Sequence, residues 1–250
     1  MTANPSASRT ARERARAELT REIKEEARRQ LAASGAPGLS LRAVARELGM
    51  VSSAIYRYFP SRDELLTALI IDAYDALGEA AEAADAEAAA TSIRGRWRAV
   101  CGEIRAWAVA HPHEYALIYG SPVPGYQAPR ATVASATRVV RVLGGILADA
   151  RAGGADGAEP ELASPAGQTP PESLPSALAE QAAIVADAIA PGVPDAVIVR
   201  ALIAWTQLFG MISFELFGQF VGSLEPADPF AAYAAEQMAD FIGLPGPGPA

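Results

Sequence analysis

Between Thr10 and Ser34 the apolar residues Leu19, Ile23, Ala27 and Leu31 recur at every fourth position, and no stretch of the chain alternates apolar and polar residues. A four-residue repeat lays its side chains along one face of an α-helix, whereas a half-buried strand needs a period of two. The chain is therefore expected to fold as an all-α protein, each helix burying one stripe against its neighbours. Gly35, Pro37 and Gly38 stop the first helix.

Ser40 is placed to cap a second helix, in which Leu41, Val44, Ala45 and Leu48 follow at helical spacing and leave Arg42 and Arg46 pointing outward. Gly49 ends it, because glycine tolerates the left-handed geometry of a tight exit. A third helix is read from Ser52 to Phe59, with Ile55 and Phe59 inward and Pro60 as its stop. Ser61 and Glu64 form a capping-box pattern that opens a fourth helix, running through Leu65, Leu66, Leu69 and Tyr74 into the alanine-rich residues 79–90. Further helices are expected near 92–110, 113–119, 129–151, 176–190, 195–221 and 229–243. Residues 1–8 are read as a disordered arm, 152–175 as a mobile Gly/Pro/acid-rich loop, and 244–250 as a disordered tail. The domains drawn from this are 9–60, a helix-turn-helix head, and 61–243, a larger helical body.

The formal net charge of −8 hides a division. Residues 1–62 hold 12 Lys+Arg against 6 Asp+Glu, a net of +6, and the remainder carries −14. A small basic head on an acidic body points to two separate tasks. The single cysteine, Cys101, excludes an intramolecular disulfide framework and suits a reducing cytoplasm. No apolar run follows the N-terminal arginines, so no signal peptide is read there. The apolar segment 197–222 has only 14 uncharged residues between Arg200 and Glu215, short of the roughly 20 a spanning helix needs. It reads as a buried helix, and no membrane association is expected.

Two short helices joined at Gly49 and braced by a long preceding helix make a helix-turn-helix. Its second helix enters the DNA major groove with its N-terminal residues nearest the base edges. Ser52, Ser53 and Ala54 are small enough to let the helix axis approach, and they offer hydroxyls and a methyl for base contacts. Tyr56, Arg57, Tyr58 and Arg62 supply hydroxyls and guanidinium groups for phosphates, which position the helix rather than specify the sequence. Outward-facing Arg42 can take either part, and Ser40 is counted with this surface. Arg9, Arg12, Arg14 and Arg16 read equally as a DNA-reaching arm or as a solvated face paired with Glu13 and Glu18.

The stretch "LSLRAVARELGMVSSAIYRYFPSRDELL", residues 39–66, resembles the DNA-binding signature of TetR-family transcriptional regulators. The resemblance implies that Arg42 and residues 52–54 read bases, and that Tyr56, Tyr58 and Arg62 hold phosphates. Val51 stands where the family usually has a small polar N-cap, so the recognition helix is expected to start at Ser52. Tyr58 stands where His is common, and Arg62 replaces the usual Lys. A second segment, "RAWAVAHPHEYALIYGSPVPGY", residues 105–126, is similar to a C-terminal domain class of actinobacterial members marked by Trp, His and Gly, here Trp107, His111 and Gly120.

The family resemblance implies a homodimer on a palindromic double-stranded DNA operator, released by a small-molecule effector. The near all-round apolarity of 195–221, with Gly210 and Gly218, and the neighbouring 229–243 fit a core-and-partner interface. An apolar effector pocket is expected from Trp107, Tyr115, Tyr119, Trp205, Phe209, Met211 and Phe214. Two other readings stay open: a constitutive DNA-binding protein with a closed core, and an enzyme or small-molecule carrier. No nucleophile–base–acid set or cofactor loop supports catalysis, so no enzyme and no cofactor are expected. His111 and His113 have no third ligand at suggestive spacing, so no metal site is read.

Overall fold

The computed structural model describes residues 5–153 and 174–246, with side chains from residue 11 onward. The described residues are helical, with no strand among them. The expected loop 152–175 falls mainly on residues 154–173, outside the described set, as do residues 1–4 of the expected arm and 247–250 of the expected tail. The chain divides into two compact units.

The first unit takes in residues 1–73 and, in addition, 113–133. Helix α1 spans Pro5–Gly38, so regular structure begins before the expected residue 9, and Gly35 breaks it with φ 67°. Ile23, Ala27 and Leu31 form its buried stripe, as the four-residue repeat requires. Helix α2, Leu41–Glu47, is capped by Ser40, whose Oγ accepts from the Ala43 amide at 3.4 Å. Its exit is a Schellman turn: Gly49 has φ 64°, its N–H donates to the Arg46 carbonyl, and the Met50 N–H donates to that of Ala45 at 2.8 Å.

Helix α3 covers only Ser52–Ile55, where the sequence suggests a helix to Phe59. Beyond Ile55 three-residue turns set in, Arg57 N–H to Ala54 O and Tyr58 N–H to Ile55 O, with one four-residue bond from Phe59 N–H to Ile55 O before Pro60, which has no N–H to extend the ladder. Helix α4, Arg62–Glu87, starts where Ser61 Oγ accepts from the Glu64 amide at 3.1 Å. Its early Asp72 carboxylate holds Lys24 and Arg28 of α1 at 2.8 and 2.6 Å. Helix α6, Pro112–Tyr119, and the chain after it belong to this unit from residue 113 on, tied by a 2.8 Å hydroxyl contact between Thr67 and Tyr126.

The second unit, residues 74–112 and 134–250, is a helix bundle. It contains α5 (Ile93–Ala110), α8 (Arg138–Ala152), α9 (Ser176–Ile189), α10 (Asp195–Leu216) and α11 (Asp228–Ile242). The helix expected over 129–151 is instead a 3₁₀ turn at Arg130–Thr132, a short α7 at Val133–Ala136, and α8. At the break, Thr137 Oγ1 donates back to the Ala134 carbonyl at 3.0 Å, an alternative to continuing the helix. Helix α10 ends at Leu216 rather than 221, because Gly218, φ 79°, closes a second Schellman turn with Gln219 N–H on Phe214 O.

By length and composition α10 could cross a membrane, but Val197, Ile198, Ala204, Leu208, Phe209, Met211 and Ile212 are buried against α9, α11 and α5. It is a core helix of this unit. Four arginines stitch the bundle. Arg105 of α5 grips Glu215 with two bonds of 2.7 and 2.6 Å and reaches Asp228 at 3.1 Å. Arg96 forks onto Asp85 and reaches Asp149, and Arg138 forks onto Glu82 and reaches Asp75. Buried Arg94 binds Glu236, Asp240 and the Leu244 and Pro245 carbonyls. That last set ties Leu244, 3% exposed, and Pro245 to α5, so the first two residues of the expected tail are anchored.

Candidate nucleic-acid interface

The surface expected to read bases is built from the α2–α3 corner. Ile55, fully buried, and Phe59 anchor α3 into the first unit, a burial worth roughly 1.5–3 kcal/mol for each side chain. That anchoring turns the other side of α3 outward. Ser52 and Ser53 are exposed and Ala54 is half-buried, so the small face is open to an approaching surface. Val51 is the N-cap, 76% exposed and without a side-chain cap bond, and α3 starts at Ser52 as its sequence suggests. Arg42 and Arg46 stand exposed on α2. Ser40 is half-buried, its oxygen used in the α2 cap and its amide donating to Gln30 Oε1.

The cationic and aromatic residues behind α3 divide into outward and inward groups. Tyr56 is 42% exposed, and Arg57 is exposed. Tyr58 is half-buried, and the Arg16 guanidinium of α1 lies over its ring, 5.5 Å from the centroid. Arg62, expected on a phosphate, turns inward instead: its Nη2 and Nε donate to the carbonyls of Ala36 and Leu39 at 2.6 and 3.2 Å. Gly35 breaks α1 just before these acceptors, and the Ala36 carbonyl that takes the shorter bond also accepts from the Leu39 amide at 3.3 Å. Sequence reasoning had no signal for that pairing, and none for the role of Arg16 beyond its charge. Arg12 and Arg14 are exposed on α1, and the side chain of Arg9 lies outside the described set.

Of the seven residues expected to line one effector pocket, Tyr115 and Tyr119 belong to the first unit and the other five to the second. Tyr115 is fully buried in the first unit, its ring 5.3 Å from that of half-buried Tyr119. Trp107 packs on the His111 ring at 5.2 Å, and the His111 amide caps α5 through the Trp107 carbonyl. The Trp205 and Phe209 rings meet at 5.6 Å, tilted by 58°, and Trp205 lines a narrow apolar slit with Leu143, Leu147 and Ile198. Phe214 is 55% exposed on the outer side of α10. Only Met211 of the seven borders the roomier cavity of about 480 Å³ between α5, α10 and α11. Its floor is Cys101, Leu208 and Met211, and its rim is Arg98, Arg105, Asp228, Tyr233 and Glu236. The rim charges pair with one another, Arg98 with Glu236 and Arg105 with Asp228, both at 3.1 Å. Hydrogen bonding to Arg105 holds the Asp228 carboxyl below its usual range, and burial pushes the Cys101 thiol well above its own.

A stripe on α10 remains uncovered: Ile203, Thr206, Gln207, Gly210 and Phe214 are exposed at helical spacing, and so is Phe217 at its C-cap. An added Cβ at Gly210 meets nothing within 4 Å. Among the described residues no cluster of His, Cys, Asp or Glu is arranged to hold a metal ion.

Residues 23–69 match the family described as bacterial regulatory proteins of the tetR family, and residues 97–241 match the tetracyclin repressor-like C-terminal domain. The HTH-type transcriptional regulator Rv1816 of Mycobacterium tuberculosis is 40% identical over 223 residues, covering 89% of this chain and 90% of that protein. The regulator Mb1846 of Mycobacterium bovis matches with the same identity and coverage. Among solved structures, the putative regulatory protein SCO4313 superposes with a TM-score of 0.68 at 34% identity, over 90% of this chain and 97% of that one. A protein of unknown function from Rhodococcus sp. RHA1 gives 0.64 at 26%, over 90% of this chain and 95% of its own.

Proposed function

Since the chain belongs to the TetR family of bacterial transcriptional regulators, we propose that it is a cytoplasmic repressor that binds a palindromic operator as a homodimer and is released by a small apolar or amphipathic ligand. The matched domains and the named relatives are those of a DNA-binding regulator with a helix-turn-helix, not of an enzyme. The observation that carries the proposal is the open face of Ser52, Ser53 and Ala54, held outward by buried Ile55 on a segment of net charge +6.

In this reading Ser52, Ser53, Ala54 and Arg42 meet base edges. Ser40 lies beside them at the start of α2. Tyr56, Arg57 and Tyr58 meet phosphates. Arg62 is left out, since its donors already serve the end of α1. The exposed α10 stripe, with α11 beside it, is the surface proposed to meet a second copy. A twofold dimer then presents two α3 tips to successive major grooves, about 34–36 Å apart. The roughly 480 Å³ cavity is of the size that small ligands fill, and its apolar floor and self-paired rim favour an apolar or amphipathic effector. Helix α4 is unbroken across the boundary between the two units, so it is the element proposed to carry a ligand-induced shift to the head. A coupling of about 1–3 kcal/mol would weaken operator affinity roughly 5- to 150-fold.

Selecting bound fragments from genomic DNA, followed by a salt titration on the enriched site, tests the proposal. Enrichment of a palindrome whose affinity falls steeply with salt is expected, through counterion release. Absence of any salt-sensitive binding would end the regulator reading. Sedimentation of the free protein as a monomer at micromolar concentration would end its dimeric part.

A further inference from the structure

Arg16 projects from α1 across the end of the recognition element and touches it twice. Its guanidinium carbon lies 5.5 Å from the centroid of the Tyr58 ring. Its Nη2 donates to the Arg57 carbonyl oxygen at 3.1 Å. Both contacts fall where the chain needs them. Helix α3 stops at Ile55, and residues 56–58 form tighter turns with poorer hydrogen-bond geometry. The Arg57 carbonyl is one of the groups left over when the helix stops, and Pro60, three residues on, has no N–H to offer it.

We propose that Arg16 is a positioning residue for DNA binding, one that locks the Arg57–Tyr58 segment against α1 and so fixes where the Tyr58 hydroxyl meets a phosphate. The guanidinium suits both contacts, since its charge lies over the ring while one of its N–H groups donates to the carbonyl. An ammonium group in its place is a compact charge without the fork of separate donors that serves both contacts. With Arg16 removed, Arg57 and Tyr58 keep their turn bonds to Ala54 and Ile55 but lose this tie to α1. The Tyr58 side chain then samples orientations that the operator has to select at an entropic cost. The inference rests on the reading that Tyr58 contacts DNA, but it makes a separate statement about the free protein.

The test uses Arg16→Ala, Arg16→Lys and Tyr58→Ala, singly and as the Arg16→Ala/Tyr58→Ala pair, in the full chain. Thermal melts check that each variant folds. In the free protein, hydrogen exchange at the Tyr58 and Phe59 amides is expected to speed up in Arg16→Ala while that of the α1 core amides stays unchanged. On a genomic fragment selected by the parent protein, Arg16→Ala is expected to weaken binding roughly two- to tenfold. The salt slope should be unchanged, because a tyrosine hydroxyl releases no counterion. Arg16→Lys should restore little, and Arg16→Ala should add less than about twofold in the Tyr58→Ala background.

A direct phosphate contact by Arg16 would overturn the proposal and would look different. The salt slope would drop by about one, lysine would rescue, and the loss would persist without Tyr58. Unchanged exchange at Tyr58 and Phe59 would overturn it independently of DNA. If the parent protein bound no DNA while the exchange effect appeared, the regulator reading would fail and the lock would stand.

Discussion

Arg62 donates to the Ala36 carbonyl at 2.6 Å, so the first residue of α4 closes the broken end of α1. The same guanidinium reaches the Leu39 carbonyl at 3.2 Å, one residue before the α2 cap. Replacing Arg62 by Ala is expected to destabilise the head by about 1–2 kcal/mol, since it strips charged donors from carbonyls that lie partly out of water. The salt slope of DNA binding should stay the same, because no phosphate contact is lost. Chemical denaturation and a salt titration of the one variant check both statements.

Ser53 and Arg57 should respond in opposite ways. Ser53→Ala is expected to relax sequence preference at one operator position with an unaltered melting temperature, because Ser53 is exposed. Arg57→Ala should weaken every sequence alike and lower the salt slope by about one. Binding selections run in parallel on the two variants read the difference.

Two mid-helix glycines should give stability changes of opposite sign. A Cβ at Gly144 of α8 would stand 2.4 Å from the Ile189 carbonyl oxygen, a backbone atom that cannot swing away. Gly144→Ala is therefore expected to cost about 1–3 kcal/mol through overpacking. At Gly102 of α5 an added Cβ meets nothing within 4 Å. Gly102→Ala should stabilise by about 1 kcal/mol, the helix-propensity difference. Urea unfolding midpoints distinguish the pair.

The arginine clamps should show themselves in acid. The Arg138 bonds hold the Glu82 carboxyl below its ordinary 4.5, and Arg105 holds that of Asp228 below its ordinary 3.8. A carboxyl whose pKa is lower folded than unfolded adds stability that is complete above the unfolded value and fades as pH falls through the folded one. Stability is thus expected to decline as pH drops below about 4.5. Arg138→Ala should flatten that decline, because it removes the Glu82 shift. Both carboxylates are exposed, so added salt should shrink the effect.

Cys101 is buried and its thiol is pushed upward by desolvation, so little thiolate exists at neutral pH. Native protein is expected to resist iodoacetamide and to react once unfolded. Modification at equal rates in both states would contradict the packing of α5 on α10 and α11.

The helix-turn-helix was legible because its signals are local. Ser40 caps within three residues, Gly49 turns within two, and the 3.6-residue period alone sends Val44 and Ile55 inward and Ser53 outward. The end of α10 was just as local, but the apolar run past Gly218 outweighed the glycine in the reading while the Schellman turn decided the structure. The division of the seven expected pocket residues between the two units was not legible, because aromatic content does not tell which helices become neighbours.

By itself, then, the amino-acid order determined that the chain is helical, where the helix-turn-helix corner lies, and which side of α3 faces outward. These follow from hydrogen bonds and side-chain periods within a few residues of one another. Only the tertiary structure decided that Arg62 faces inward, that Arg16 covers Tyr58, and that residues 113–133 join the head-side unit. Where a long cationic side chain ends depends on which partners come within its reach, and that is settled when distant helices pack.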